Sequence, residues 1–197
     1  MASTAIQTRT YTAEDYLALE LESAIRNEFR NGEIIEMAGG TPEHNEIARM
    51  FVFLLTAALR KQPYSIFVTD QRLWIPASNL YTYPDVMITP RPPELQSGRK
   101  DTVVNPILIA EVLSDSTEAY DRGEKFGHYR TIEMFREYVL IDQSRPHVEH
   151  YVRQNEGGWL FKVYSGLAES FALSSVSVNI ALAELYETLE FSKAGVE

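Results

Sequence analysis

The sequence predicts one domain of the mixed α/β (α+β) class, in which a β-sheet is flanked by helices. Segment 106–113 is almost continuously apolar, which is typical of a strand buried on both faces of a sheet. Apolar residues spaced by three and four predict a long helix at 45–61, before that strand. Strands and helices do not alternate strictly, so a doubly wound nucleotide-binding fold is not predicted. The length of 197 residues suits a single domain.

The chain begins with a short polar segment and a capped helix. Residues 1–10 are small and polar, and we expect a flexible N-terminus there, followed by a single domain over 11–197. A first helix is predicted over 12–21, because Thr12 suits an N-cap and Asp15 follows three residues later in a variant of the capping box.

Turn residues and β-rich segments predict the remaining elements. Turns or loops are expected at Asn31-Gly32, 39–45, 78–81, 89–94 and 155–158. Strands are expected near 34–37, at 64–68, 71–75, 86–88, 106–113, 137–141, 146–153 and 159–164, and near 175–178. Further helices are expected at 118–131 and 180–190, so the C-terminal part contains a β-hairpin and a helix.

Composition excludes several classes of protein. With 45% hydrophobic and 23% charged residues, the chain is close to the soluble globular average, not to disordered or coiled-coil proteins. No apolar stretch reaches the ~18 residues that a membrane-spanning helix needs. The first residues lack the apolar core of a secretory signal. Because there is no cysteine, disulfides and thiolate metal sites are excluded, and a cytoplasmic location is expected.

The net charge of the chain bears on whether it binds nucleic acid. The chain has 18 basic and 28 acidic residues, a net charge of −10. This argues against tight non-specific binding to nucleic acid, which depends on clustered lysine and arginine. A catalytic encounter with a phosphodiester is still compatible with this charge, because a metal ion can supply local positive charge.

Two acidic residues stand at or within buried-looking strands. Glu111 interrupts the apolar segment 106–113, where a carboxylate is costly unless it is paired or binds a metal. Asp85 stands at the start of the strand at 86–88. Two carboxylates at neighbouring strand ends can hold Mg²⁺, which favours one or two carboxylates together with water.

The helix after Glu111 presents further polar groups. Asp121, Lys125 and Tyr129 are spaced by four and therefore share one helix face. If that face lies over the strand ends, Lys125 joins Asp85 and Glu111. Two acids and a lysine can position a water molecule and stabilise a pentacovalent phosphate.

Each of these residues also has a purely structural alternative. Asp85 would cap a turn, and Glu111 would form a buried structural pair. Lys125 would pair with Asp121 on a solvated helix face. Tyr129 is expected to pack between helix and sheet.

Three weaker candidates complete the set. His44 would bind a metal or a phosphate, or else cap the helix that it begins. Glu46 on the same helix and Glu28 before the first strand would each add a carboxylate to the site.

Several segments, taken in order, resemble the Uma-type family of restriction endonuclease-like proteins. Pro84-Asp85 followed by Glu111 looks like the PD-(D/E)XK nuclease signature. The segments that carry the closer resemblance are Tyr11-Thr-Ala-Glu-Asp-Tyr16, Asn27-Glu-Phe-Arg-Asn-Gly-Glu33, His44, Pro84-Asp-Val-Met-Ile88, Ala110-Glu-Val-Leu-Ser114 and Tyr120-Asp-Arg-Gly-Glu-Lys-Phe-Gly-His-Tyr129. The resemblance runs from about residue 10 to residue 190 and covers nearly the whole chain.

The resemblance implies a restriction-endonuclease-like fold and a metal-dependent endonuclease that hydrolyses DNA phosphodiester bonds. Asp85, Glu111 and the Val112 carbonyl would hold Mg²⁺, with Mn²⁺ as a substitute. Lys125 would be the catalytic lysine, which orients or helps to deprotonate the attacking water and offsets charge in the transition state. The basic residues near the site, Arg122, Lys125 and Arg130, would meet phosphates. DNA would bind weakly without a further partner, and a homodimer is expected.

The chain departs from the pattern at two positions. The superfamily lysine lies two residues after the glutamate, where this chain has Leu113. Lys125 on the following helix is the expected replacement, since its side chain can approach the same point in space. Asp115 stands where the family commonly has proline, which adds a negative charge near the site.

Two other functions remain open on the sequence alone. A nuclease fold with an impaired site would act as a binding or assembly module, which the acidic composition and Asp115 favour. A carboxylate-based hydrolase of a small phosphoester would suit the negative charge better than DNA does.

Overall fold

The predicted class is confirmed, and the strands form two sheets and a separate hairpin. The computed structural model describes residues 10–191, so the predicted flexible segment 1–10 lies, apart from Thr10, outside the described residues. The strands are β1 (Asn27–Arg30), β2 (Glu33–Glu36), β3 (Tyr64–Val68), β4 (Arg72–Ile75), β5 (Leu80–Thr82), β6 (Val86–Pro90), β7 (Thr102–Val103), β8 (Leu108–Leu113), β9 (Glu137–Asp142), β10 (His147–Arg153), β11 (Trp159–Ser165), β12 (Ser170–Leu173) and β13 (Val178–Ala181). The helices are α1 (Ala13–Glu22), α2 (Pro42–Ala58), α3 (Glu118–Tyr120), α4 (Phe126–Tyr129) and α5 (Leu182–Leu185).

The six-stranded sheet contains the central strand that the sequence predicted. Its order is β11-β10-β9-β8-β6-β3. All six residues of β8 are buried, because its alternate side chains pack into core clusters on the two faces of the sheet. Within the sheet, β8 pairs with β6 antiparallel on one side and with β9 parallel on the other. The predicted hairpin at 146–153 and 159–164 is confirmed as β10 and β11, and it extends this sheet at one edge.

A second sheet of five strands, in the order β2-β1-β5-β4-β7, was not predicted as a separate layer. Part of it, β5, occupies positions that were predicted as a hairpin connection at 78–81. Phe29 on β1 packs with Tyr16 of α1 and Tyr81 of β5. Because side chains alternate along a strand, Glu28 and Arg30 lie on the opposite face of the sheet.

The long helix begins earlier than the sequence analysis placed it. The prediction of a loop over 39–45 and a helix over 45–61 was wrong at both ends, since α2 spans Pro42–Ala58. Thr41 is its N-cap and accepts a hydrogen bond from the His44 N–H at 3.1 Å. Proline suits the first helical turn because its fixed φ matches a helix and its missing N–H would be unpaired there in any case.

The helical segment 118–129 contains an irregular turn. It joins α3 to α4 through a π-helical turn at Asp121–Lys125, and it ends two residues before the predicted position 131. Single π turns within α-helices are frequent at functional sites. The turn carries both Asp121 and Lys125, whose side chains are buried.

The predictions for the C-terminal segment differ most from the structure. The strand expected near 175–178 and the helix expected at 180–190 are replaced by the β12–β13 hairpin and the single turn of α5. Ile180 pairs with Phe171 in this hairpin, so its backbone is extended instead of helical. No helix within the described residues is long and apolar enough to cross a membrane.

A buried carboxylate holds this hairpin against the six-stranded sheet. Glu137 at the start of β9 is fully buried and accepts hydrogen bonds from the N–H and hydroxyl of Ser174, both at 2.7 Å. It also accepts from the Ser175 hydroxyl at 2.5 Å, and the Nε2 atom of His150 lies 3.4 Å away. Burial favours a higher pKa for Glu137, but the contact with His150 and the hydrogen bonds from Ser175 and Ser174 outweigh it, and the pKa lies below its ordinary value.

We expect Glu137→Gln to destabilise the fold by about 2–3 kcal/mol, because an amide presents a donor where the serines also donate. The pKa of Glu137 is lower in the folded protein, so its contribution is present above the unfolded value of 4.5 and is lost as the pH falls through the folded value. Urea unfolding at pH 7 and pH 4 measures both effects. The exposed Glu169→Gln is the control, and equal losses in the two variants would contradict the prediction.

Candidate functional site

A cavity of about 470 Å³ lies where the two sheets meet the helical segment 118–129. Side chains from β1, the start of α2, the strand ends at β6 and β8, and the helical segment line it. Asp85, Glu111 and Lys125, the three residues predicted to carry chemistry, all belong to this lining.

Asp85 and Glu111 are held together by the backbone of their own strands. The Asp85 N–H donates to Glu111 Oε2 at 3.2 Å, and the Val112 N–H donates to Asp85 Oδ2 at 2.8 Å. The pairing of β6 with β8 brings the start of one strand beside the end of the other. The two carboxylates therefore meet at one sheet edge.

The helical segment places a lysine and a tyrosine on Glu111. The Nζ atom of Lys125 lies 2.9 Å from Glu111 Oε1 and 3.2 Å from Asp121 Oδ1. The Tyr129 hydroxyl donates to Glu111 Oε1 at 2.7 Å. The predicted common face of Asp121, Lys125 and Tyr129 is therefore present, and Tyr129 also packs in the core as expected.

Burial and neighbouring charges shift the pKa values of this group. Burial raises the pKa of Glu111 to about 8; the Lys125 charge opposes this shift, and the charges of Asp85 and Asp121 add to it. Burial by itself lowers the pKa of Lys125, but Glu111, Asp121 and Glu28 raise it well above its ordinary value. Lys125 therefore stays a cation near neutral pH.

His44 lies beside Asp85, at the first turn of α2. Its Nε2 atom is 3.0 Å from Asp85 Oδ2. Burial lowers the pKa of His44, but the hydrogen bond to Asp85 and the charges of Asp85 and Glu111 outweigh it, so the pKa is raised. Gly40 leaves room for this ring, since a Cβ atom there would lie 2.8 Å from His44 Nδ1.

The other two acidic candidates lie in different places. Glu28 on β1 lines the cavity, accepts a hydrogen bond from the Thr82 hydroxyl and is buried. Glu46 is not part of the cavity lining and pairs with Arg49 on the exposed side of α2 at 2.5 Å. Of the two, Glu28 is the carboxylate placed near Lys125.

The donor atoms at the cavity suit a hard divalent cation. In the described part of the chain no group of three or more His, Asp or Glu side chains is arranged to hold a metal ion. A two-carboxylate set with water and a backbone carbonyl is nevertheless a common Mg²⁺ environment. Asp85 Oδ1 accepts no hydrogen bond from the described residues, and Glu111 Oε2 accepts one at 3.2 Å, so both retain free lone pairs. The Val112 N–H faces Asp85, and the carbonyl of a strand residue points to the same side as its N–H.

Two basic residues expected to meet phosphates lie elsewhere. Arg122 pairs with Glu118 at 2.5 Å and with Glu149 at 3.0 Å, and Arg130 packs over the Phe126 ring with its Cζ atom 5.0 Å from the centroid. Neither arginine belongs to the cavity lining.

Among the cavity residues that sequence reasoning did not single out are Arg30 and Tyr120. Both line the cavity, and the Arg30 guanidinium lies 4.0 Å above the Tyr120 ring centroid. The alternation along β1 was the available signal, since it places Arg30 on the same strand face as Glu28. Without the second sheet, however, nothing in the sequence says what that face covers.

Comparison with known proteins gives one family and several relatives. Residues 13–183 match the family described as "Uma2: Putative restriction endonuclease". The chain is 42% identical over 159 residues to Uncharacterized protein sll1609 of Synechocystis sp., covering 81% of this chain and 90% of that protein. It is 32% identical over 178 residues to Uncharacterized protein slr1290 of the same organism, covering 90% of this chain and 92% of that protein. The crystal structure of a "putative nuclease belonging to DUF820" from Anabaena variabilis has a similar fold, with a TM-score of 0.72 at 17% identity over 90% of this chain and 98% of that one.

Proposed function

The chain belongs to the Uma2 family of restriction endonuclease-like proteins, and from this premise we propose that it is a metal-dependent endonuclease that hydrolyses DNA phosphodiester bonds. One observation carries the proposal. Two carboxylates, Asp85 and Glu111, meet at one sheet edge inside a cavity, with the Lys125 ammonium 2.9 Å from the second carboxylate. This combination of acid, acid and lysine suits phosphoryl chemistry.

Asp85, Glu111 and the Val112 carbonyl would hold Mg²⁺ or Mn²⁺. When bound, the metal would lower the pKa of a coordinated water and polarise a phosphate oxygen. The positive charge of the metal ion would also offset, at the site, the repulsion between DNA and a chain whose net charge is −10.

The chain's own residues would orient the reacting groups. The raised pKa of Lys125 makes it a cation that stabilises negative charge on the phosphate and not a base. Tyr129 donates to Glu111 and fixes the rotamer of that carboxylate. His44 holds Asp85 from the opposite side, at 3.0 Å, so both carboxylates are oriented before substrate arrives.

A cleavage assay tests the proposal. Plasmid and single-stranded DNA are incubated with the protein and Mg²⁺ or Mn²⁺, and the wild type is compared with Asp85→Asn. We expect metal-dependent cleavage that falls by about 100-fold or more in the variant, because an amide is a weak metal ligand. Glu46→Gln is the matched control, since Glu46 lies outside the cavity lining. Absence of cleavage by the wild type would contradict the proposal, and cleavage of a small phosphoester alone would redirect it.

The proposal includes a cytoplasmic homodimer. Its structural support is β11, an edge strand of the six-stranded sheet with three exposed apolar side chains, Leu160, Phe161 and Val163. An edge strand with exposed apolar side chains can pair with a second chain. Sedimentation velocity of the wild type and Phe161→Lys measures this, and a monomeric wild type would contradict the dimer.

A further inference from the structure

Arg30 is a cation of the cavity lining that forms two long ion pairs and no side-chain hydrogen bond to a described residue. Its Nη1 and Nη2 atoms lie 3.6 Å from carboxylate oxygens of Glu124 and Glu28, both beyond hydrogen-bond distance. Its Nε atom is buried and has no hydrogen-bond partner among the described residues. A buried donor without a partner calls for an explanation, because nearly all such groups in folded proteins are satisfied.

Tyr120 fixes the plane of this guanidinium and adds a second unsatisfied group. The Arg30 Cζ atom stands 4.0 Å from the Tyr120 ring centroid, a stacking distance. The Tyr120 hydroxyl oxygen is also buried and lacks a partner among the described residues. Burial raises the pKa of Tyr120, with the Glu28 charge adding to the shift, so the hydroxyl keeps its proton and is available as a donor.

Among the basic residues of the cavity lining, Arg30 is more weakly paired with carboxylates than Lys125 is. The acidic residues of the described lining are Glu28, Glu36, Asp85, Glu111 and Asp121. Lys125 already contacts two of them, Glu111 at 2.9 Å and Asp121 at 3.2 Å. Arg30, the other arginine or lysine of the described lining, has carboxylate oxygens of Glu28 and Glu124 at 3.6 Å and makes no hydrogen bond to either. It keeps 24% of its side chain exposed.

We propose that Arg30, stacked on Tyr120, binds a phosphate of the nucleic-acid backbone next to the phosphate that would react at the proposed metal site of Asp85 and Glu111. A planar guanidinium offers several donors in fixed directions, which suits phosphate oxygens. Arg30 and Tyr120 line the same cavity as the two carboxylates, so a single DNA strand can contact Arg30 and the carboxylate site together. The inference rests on the proposed nuclease function and extends it, because it names the residues that hold the substrate.

Binding of a fluorescein-labelled DNA oligonucleotide tests the inference, with Ca²⁺ in place of Mg²⁺ so that binding is measured apart from cleavage. Arg30→Met is compared with Arg60→Met, which removes the same charge from an exposed position. We expect Arg30→Met to weaken binding by about 10-fold. The slope of log affinity against log salt concentration should fall by about one, which corresponds to the loss of one phosphate contact. Arg60→Met should stay within about 2-fold of the wild type.

Two milder variants separate binding from folding. Arg30→Lys keeps the charge but loses the planar fork, and Tyr120→Phe keeps the ring but loses the hydroxyl. Each should weaken binding by about 3-fold while the thermal unfolding midpoint stays near that of the wild type. In the cleavage assay, Arg30→Met should raise KM by a larger factor than it lowers kcat.

The outcomes distinguish this inference from the proposed function. If Arg30→Met and Arg60→Met bind DNA equally, with equal salt dependence, the inference is overturned even if the wild type cleaves DNA. If the wild type binds DNA without cleaving it, the nuclease proposal fails, and the comparison of the two arginine variants still decides the role of Arg30. If the wild type neither binds nor cleaves DNA, both are overturned.

Discussion

Lys125→Met is expected to lower DNA cleavage by about 100-fold or more and to destabilise the fold by about 3–5 kcal/mol. The loss of activity follows from removing the ammonium that lies 2.9 Å from Glu111 Oε1. The loss of stability follows because Glu111 and Asp121 are both buried and share this cation. Removing one partner of a buried charge group leaves the others without compensation.

A double variant separates these two effects. In Lys125→Met/Glu111→Gln the uncompensated carboxylate is neutralised, so we expect the unfolding free energy to recover by at least half, while cleavage stays absent. The exposed Lys100→Met is the charge-matched control and should behave like the wild type in both assays. Cleavage by Lys125→Met within 3-fold of the wild type would contradict the catalytic role and would leave Lys125 with a structural one.

Glu111→Gln is the second variant with a large expected effect, a fall in cleavage of about 1000-fold with a smaller loss of stability at pH 8 than in Lys125→Met. An amide at this position cannot supply the anionic ligand that a metal needs. The same change removes a carboxylate whose ionisation burial disfavours. A variant that is inactive yet clearly more stable than Lys125→Met is the pattern expected of a functional, not a structural, charge.

The stability of the wild type should also depend on pH through Glu111. Its pKa is about 8 in the folded protein against an ordinary value of 4.5, so between these values the folded state binds the proton more tightly than the unfolded state. The unfolding free energy of the metal-free protein should therefore fall as the pH rises from about 4.5 to 8. Urea unfolding with EDTA across this range measures the slope.

The matched variants identify the source of that slope. Glu111→Gln should flatten it, whereas Glu46→Gln should leave it unchanged because Glu46 lies on the exposed side of α2. Addition of Mg²⁺ should stabilise the wild type more at pH 8 than at pH 5, since a metal competes with the proton for the same carboxylate. An identical slope in the wild type and Glu111→Gln would show that another group causes it.

Local sequence patterns correctly predicted several secondary-structure elements of this protein. The apolar segment containing Glu111 predicted a strand buried on both faces, and β8 is one. Thr12 and Asp15 predicted the start of α1, where the structure has a complete capping box. The spacing of Asp121, Lys125 and Tyr129 predicted a shared helix face. Each of these features depends on residues within a few positions of one another, so the sequence displays them directly.

The C-terminal helix shows where local reasoning fails. Leu182, Leu185 and Leu189 have helical spacing, yet the helix stops after one turn. Ile180 instead pairs with Phe171 in a hairpin that Glu137 holds against β9. Tertiary pairing overrides a short helical pattern because the buried hydrogen bonds and packing outweigh the small intrinsic preference for helix.

Tertiary structure alone decided which side chains share the cavity. Asp85 and Glu111 are 26 positions apart, and the pairing of β6 with β8 is what lets each carboxylate accept a backbone hydrogen bond from the other strand. Arg30 lies on β1, in the N-terminal part of the chain. It contacts Tyr120 only because the five-stranded sheet packs over the helical segment 118–129. Sequence periodicity assigns a residue to a face of its own strand or helix, but contacts between distant segments depend on how sheets and helices pack. The sequence by itself therefore determined the chemical groups of the site, and the packing of its two sheets decided their arrangement.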